Sequence, residues 1–285
     1  MQRAQASILP DGRRLHLHHG PIDLIIEVFG PARAQAYERC IMAFDGLLDA
    51  LVEDLPILRA PLVAKTDVSR LVSPISRRMI AAVRPFSDHF VTPMASVAGA
   101  VADHMLRAIR TDRGITKAYV NNGGDIAFHL ADNASLTTAL AGAKTSVTLG
   151  AESPIRGIAT SGWRGRSHSL GIADQVTVLA STAAQADVAA TLIANAVDLP
   201  EKTGILRQAA SDLAPDSDLG ERLVTTHVPL LNPAEVHQAL QRGAARAQSY
   251  LQRGLIHAAF LLLQDQTREI GAPNVLTLEP ETCHA

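Results

Sequence analysis

The stretch AYVNNGGDIAFHL, residues 118 to 130, constrains the fold more than any other part of the chain. Two strand-like runs flank Asn121-Asn122-Gly123-Gly124-Asp125. A connection this short leaves only antiparallel pairing, because parallel neighbours need a crossover of a dozen or more residues. Two glycines and an acid are more than a two-residue hairpin turn requires. Either the hairpin is loose, or its backbone is bare because something lies against it.

The neighbouring segments extend this pattern. Residues 13 to 29 read as two strands around Gly20-Pro21, the second more buried than the first. His16, His18 and His19 suggest a metal site, but His16 and His18 on an exposed strand face are the simpler reading. Apolar residues at three and four predict one helix from Pro31 to Leu55, ended by Pro56 and Pro61. Another is expected within residues 67 to 90, interrupted at Pro74 and stopped by Pro85. A helix from Thr92 to Asp112 begins with small side chains, and Gly114 lies just past its end.

Strands are expected at 144 to 150, 155 to 160 and 175 to 181. Ser181 or Thr182 then caps a helix running to about Val197. A polar connector, Pro215-Asp216-Ser217-Asp218, precedes LVTTHVPLL, a helix that begins after Pro233 and runs to about Arg253, and the strand-like LIHAAFLLL. Strand pairs and helices in runs, without strict βαβ alternation, predict an α+β fold: a largely antiparallel central sheet with helices on one face.

Composition narrows the function classes. At 285 residues, 47% hydrophobic and 19% charged, the chain is an ordinary packed protein. A net charge of −2 gives no general attraction to nucleic acid or anionic membrane, and aromatics at 4% supply few base-stacking platforms. Cys40 and Cys283, far apart, make no disulfide framework and no CxxC knuckle. The first twenty residues lack the apolar core of a signal peptide, and no apolar run is long enough to span a bilayer. A cytoplasmic location, with neither nucleic-acid nor membrane partner, is the expectation. GxxxxGK[ST], GxGxxG, HExxH and GxSxG are all missing.

Three stretches carry candidate chemistry. In STAAQADVAATLIANAV, Asp187 and Thr191 stand four apart, so a carboxylate and a hydroxyl project from one side of a helix. Both are poor helix-interior residues. Together they suit a hard cation such as Mg²⁺, which keeps few protein ligands and completes its shell with water and phosphate oxygens. Asn195 and Asp198 share the same arc, however, and from spacing alone a solvated stripe is the simpler reading. In GIATSGWRGRSHSLGIADQ, Ser161-Gly162 turns the chain after Thr160. Arg164, Arg166 and His168 then alternate toward one side, where they could meet a pyrophosphate. Trp163 would point the other way and cover an aromatic ring. An exposed hairpin with its arginines in water fits equally well. His168 is also a candidate proton-transfer group. The small-residue start of PMASVAGAVADHM lets main-chain amides approach an anion, though close helix packing explains it too. Asp216 and Asp218 read as an Asx turn beside Pro215 or, less simply, as metal ligands.

Taken in order, VNNGGDIA, IATSG and VTVLASTAAQADVAAT resemble the ApbE family of FAD:protein FMN transferases. That family shows an NxGGDI-type loop, a later SG turn, and a strand leading into an ADxxxT helix. The similarity covers roughly residues 90 to 200. PDSDLGERLVT after it is similar to a short, cytoplasmic branch of the superfamily with no described function. The resemblance implies one ApbE-like domain over residues 1 to 285, on the T-fold plan of antiparallel strands backed by helices. The C-terminal helix and strand at 225 to 270 would complete it. It implies Mg²⁺ at Asp187 and Thr191, with main-chain help near Val97 and Ala98. It also implies a flavin nucleotide, FAD or FMN, beside Asn121, Asn122, Gly123, Gly124, Asp125 and the Thr160-Ser161-Gly162 turn.

The departures bear on activity. Transferases of the family carry His-x-x-Asp-Pro-x-Thr-Gly before the last strand, whereas His168 is followed by SLGIADQVTV. A lysine usual in the small-residue helix is Ala98 here. Implied, then, is a Mg²⁺-dependent flavin-nucleotide-binding protein, with FMN transfer to an acceptor protein or FAD diphosphate cleavage as its activity. The alternatives are a non-catalytic flavin carrier or assembly factor, and a binder of a pterin-like fused heterocycle. A homodimer is one arrangement open to it.

Overall fold

The computed structural model describes residues 3–63, 66–110, 114–140, 145–271 and 277–280. Asp112, Lys144 and Cys283, named above, lie outside them. In chain order the elements are β1 (Gln5–Ile8), β2 (Leu15–His19), β3 (Ile22–Phe29), α1 (Arg33–Phe44), α2 (Leu47–Leu58), α3 (Pro74–Val83) and α4 (Val97–Ile109). Next come β4 (Lys117–Asn122), β5 (Asp125–Leu130), β6 (Ser135–Leu140), β7 (Thr145–Gly150), β8 (Gly157–Ser161), β9 (Gln175–Ala180) and α5 (Ala183–Ala196). The chain continues with β10 (Leu206–Ala209), α6 (Ala210–Leu213), β11 (Leu223–His227), α7 (Pro233–Gln252), β12 (Ala258–Leu263), β13 (Gln266–Gly271) and β14 (Thr277–Pro280).

Nine strands form one sheet in the order β1-β2-β3-β4-β5-β8-β9-β12-β13, and every neighbouring pair is antiparallel. Alternation sorts the side chains. Leu24, Ile26, Val120 and Ala127 face one way and pack with α1, α2 and α4. On the same face, Ala159, Val178, Ala259 and Leu261 meet α5 and α7. Ile158, Leu179 and Ala258 point to the opposite face, where Val147 and Leu149 of the small sheet β14-β7-β6 cover them. The architecture is therefore α+β, an antiparallel sheet with its helices on one face, as the strand pairs predict.

Local chemistry moves several boundaries. The helix expected from Pro31 to Leu55 is two helices, because Gly46 takes the left-handed conformation (φ 68°) between them. Pro56 does not end α2 but sits in its last turn. Pro74 does not interrupt a helix. It opens α3 at a position that needs no N–H, behind the cap Ser73. Pro93–Ser96 form a 3₁₀ turn, so the α-helix begins at Val97. Thr182 caps α5 by accepting the Gln185 N–H at 3.2 Å, and Asn232 with Glu235 makes a capping box on α7. His16 is tied to Asp23 (Nε2 to Oδ1 2.6 Å), whereas His19 is buried.

Candidate functional site

Helices α4 and α5 hold each other at their N-termini. The Gly99 N–H donates to Asp187 Oδ2 at 3.1 Å. In return the Ala183 and Ala184 N–H groups donate to Asp103 Oδ1 and Oδ2 at 3.1 and 3.0 Å. Each helix thus supplies the acid that satisfies free N–H groups of the other. The contact is close because position 99 is glycine: a Cβ there would lie 2.3 Å from the Ala183 carbonyl oxygen. Asp187 is consequently fixed at the start of α4 rather than left to sweep through solvent.

The hairpin bend is locked to the same place. Asn122 Nδ2 donates to the Ala98 carbonyl at 3.1 Å, and Asn121 Oδ1 accepts the Gly124 N–H at 2.8 Å. Gly123 and Gly124 take φ values of 64° and 114°, which side-chain-bearing residues rarely adopt. A Cβ on Gly123 would also fall 1.7 Å from Arg166 Nη2, so the guanidinium lies directly against bare backbone. Gly123 is thus used for close approach, while Gly124, with open space beside it, is needed for its backbone angle. Asp125, buried as the first residue of β5, accepts the Thr160 N–H at 3.2 Å and hydrogen-bonds the carboxyl of Asp187.

These groups surround one cavity of about 840 Å³, inside the size range of small-molecule sites. Val97 and Ala98 reach it from α4, and Asn122, Gly123, Gly124 and Asp125 from the bend. Thr160, Ser161 and Gly162 border it at the end of β8. Arg164, Arg166 and His168 come from the following loop, and Asp187 and Thr191 from α5. Asn121 stands behind the bend, setting its shape.

The stripe on α5 does not face bulk solvent. Asp187, Thr191 and Asn195 line the cavity. Asn195 Oδ1 also accepts from Ser169 Oγ (3.2 Å) and the Leu170 N–H (2.9 Å), anchoring the loop that carries the arginines. Asp198 pairs with Arg207. Trp163 does not cover the cavity: it packs on the main core and donates Nε1–H to Asp174 at 3.0 Å. Arg164 stacks 4.9 Å from its ring centre and shares Asp174, so this loop is a knot of turns and not an extended strand.

Burial, countered by the Thr160 N–H, Asp187 and Arg166, lifts the Asp125 carboxyl to about 7. Burial first, and then the charge of Asp125, pushes Asp187 well above the carboxylate range. Two carboxyls so placed hold a proton between them or share a cation. The donors are all oxygen: these carboxylates, the Thr191 hydroxyl one turn on, and the nearby Ala98 carbonyl. That set fits a hard cation. Among the described residues no group of three or more His, Cys, Asp or Glu is arranged to hold a metal, so an ion here relies on the hydroxyl, main chain, water and ligand.

A family model described as AbpE bacteria matches residues 6–269. The chain belongs to this family. The match bears out the ApbE-like resemblance carried by the three motifs. A UPF0280 protein of Methanothrix thermoacetophila is 38% identical to this AbpE-family chain over 163 residues, 55% of this chain and 62% of its own length. A UPF0280 protein of Methanothermobacter thermautotrophicus is 39% identical over 126 residues, 42% of this chain. The chain thus spans 62% and 48% of the lengths of these relatives. The crystal structure of Pseudomonas stutzeri flavinyl transferase ApbE, apo form, aligns over 98% of this chain and 95% of that one, at 12% identity and a TM-score of 0.42. Among the described residues of the AbpE-family chain, no helix is long and apolar enough to cross a membrane.

Two cavity residues escaped the motif reading as ligand contacts. Thr92 and Asp218 line the wall together, 126 positions apart in sequence, and the Thr92 hydroxyl donates to Asp218 Oδ2 at 2.5 Å. The Pro-Asp-Ser-Asp run signalled a turn, and nothing local revealed that the turn ends against the segment before α4.

Proposed function

We propose that this chain binds a flavin nucleotide, FAD or FMN, together with Mg²⁺ in the cavity at the hairpin bend. The observation that carries the reading is the contact between Asp125 and Asp187 on a wall shared with Thr191, Arg164 and Arg166. Asp187 and Thr191 would hold the ion, with the main chain at Val97 and Ala98 beside it. Bound there, Mg²⁺ supplies positive charge at the diphosphate. Gly123 seats the Arg166 guanidinium, the open side of Gly124 lets the ligand lie against backbone, and the arginines take phosphate oxygens.

In the enzymatic version a hydroxyl of an acceptor protein attacks the flavin-side phosphorus of FAD. A new O–P bond forms, the P–O–P bridge breaks, AMP leaves, and His168 takes the hydroxyl proton. Attack by water instead would give FMN and AMP. The second reading, a flavin carrier, is favoured by the missing Asp-Pro-x-Thr-Gly after His168. A pterin-like ring is the third, on fold analogy alone. Calorimetry with FAD and Mg²⁺, then mass spectrometry of the mixture, tests all three. Released AMP or a labelled protein supports the enzyme, and bound intact FAD supports the carrier. Neither heat of binding nor thermal shift with FAD and Mg²⁺ would sink the flavin proposal.

A further inference from the structure

The run PDSDLGERL has no part in the reading above, yet the fold turns it into a wall of the same cavity. Ser217, Asp218 and Leu219 face the space, opposite no basic residue of their own segment. Their arm is fastened from outside: the Arg222 guanidinium lies 3.3 Å from the Phe90 ring centre, and Thr92 donates to Asp218. The surrounding wall, Phe90, Val91 and Met94, is apolar. Asp218 is half-buried in this wall, and Thr92 serves one of its two oxygens, which leaves the other to water or a guest.

The cavity is therefore polar in a directional way. Arg164, Arg166 and His168 make one end attractive to phosphate. Asp218 repels phosphate from its own neighbourhood. Beside it, the Thr92 and Ser217 hydroxyls both donate and accept, while the carboxylate only accepts. Groups that alternate in this way match vicinal hydroxyls, which also do both, better than ring N–H groups, which only donate. We infer that Asp218, held by Thr92, is a specificity residue that reads the hydroxyl-bearing chain of the ligand and orients its phosphate toward the arginines. The inference rests on the flavin reading, where that chain is the ribityl group.

The test uses the full chain with Mg²⁺ and two probes sharing one ring: riboflavin, which carries the polyol, and lumiflavin, which lacks it. Binding is followed by fluorescence quenching. Asp218→Ala should weaken riboflavin about tenfold or more, as loss of a charge-assisted hydrogen bond does, and leave lumiflavin within about twofold. Thr92→Val, which keeps the carboxylate but frees it, should weaken riboflavin by less than Asp218→Ala does and leave lumiflavin within about twofold. Asp218→Asn, which can still accept from Thr92, separates loss of the contact from loss of the fold and should still disfavour riboflavin. Equal weakening of both probes by Asp218→Ala, or a Thr92→Val loss as large, makes the acid a mere clasp and overturns the inference. Riboflavin binding unchanged in Asp218→Ala overturns it alone. An unaltered chain that binds neither probe overturns the inference, while the FAD and Mg²⁺ titration separately decides the flavin reading.

Discussion

At Asp187 one carboxyl meets three demands: it accepts the Gly99 N–H, contacts the Asp125 carboxyl and faces the cavity. Asp187→Ala should lower Mg²⁺ affinity at least about tenfold while far-ultraviolet dichroism stays unchanged. The lost cap costs about 1 kcal/mol, and removal of a like charge from beside Asp125 offsets part of it. An unchanged calorimetric Mg²⁺ titration would return Asp187 to a purely structural post. The pair also sets a pH response. Asp125 titrates near 7 when folded and near 3.8 otherwise, so between those values the folded chain binds more protons. The Asp125 contribution to the stability of the metal-free protein should therefore be lost as pH rises from about 4 through about 7, whereas His89, His104, His129 and His257, held below the usual histidine value by burial, act in the opposite sense. Thermal melts in chelator should show it as a stability difference between the unaltered chain and Asp125→Asn that shrinks across that range, and a difference independent of pH would count against it. The sequence showed Asp187 and Thr191 as a matched pair but not which way they face. Spacing fixes a side of a helix, and only packing decides what lies on that side.

The α4–α5 pair is the element-scale device that aims the site. Asp103 is buried, is not among the residues that line the candidate site and satisfies two N–H groups of α5. Asp103→Ala should cost about 2–3 kcal/mol, read from urea melts, by stranding those donors. Below the melting transition its ligand affinity should stay within about threefold of the unaltered chain, because the acid does not reach the ligand. Gly99→Ala is the harsher change, since the clash is with main chain that cannot rotate away, and about 2 kcal/mol or more is expected from the same melts. Helices α5 and α7 were legible from sequence because Thr182 stands where a cap was expected and Pro233 marks the start of α7, although its cap Asn232 was not foreseen. The division of α1 from α2 was not, because the periodicity continues across Gly46 and only its left-handed backbone breaks the helix.

Across the whole molecule, the helix face carries two apolar cores, one under α1 and α4 and one under α5 and α7, and the cavity opens where α4 meets α5 at the start of β5 and the end of β8. A guest there touches both halves, so binding should stabilise them together. At a hundredfold excess over Kd, FAD with Mg²⁺ should add about 2.7 kcal/mol and raise Tm by about 5 °C or more in a single transition. Two separate transitions, with only one of them shifted, would show the halves to be independent. The antiparallel sheet was readable from its hairpins. The adjacency of β5 to β8, which closes the site, was not, because β6 and β7 intervene in sequence and leave to form their own small sheet. Outer strands such as β1 and β10 are short and expose most of their residues, so they carry little apolar alternation to detect. The crossed acids of α4 and α5 have one more consequence. A descendant that abandoned its guest would still need Asp187 to fasten the two helices, and selection for mere solidity would preserve it. Inheritance of that acid in a distant cousin therefore vouches for the scaffold, while Thr191 and Asp218, which fasten less, are the better witnesses to a living chemistry.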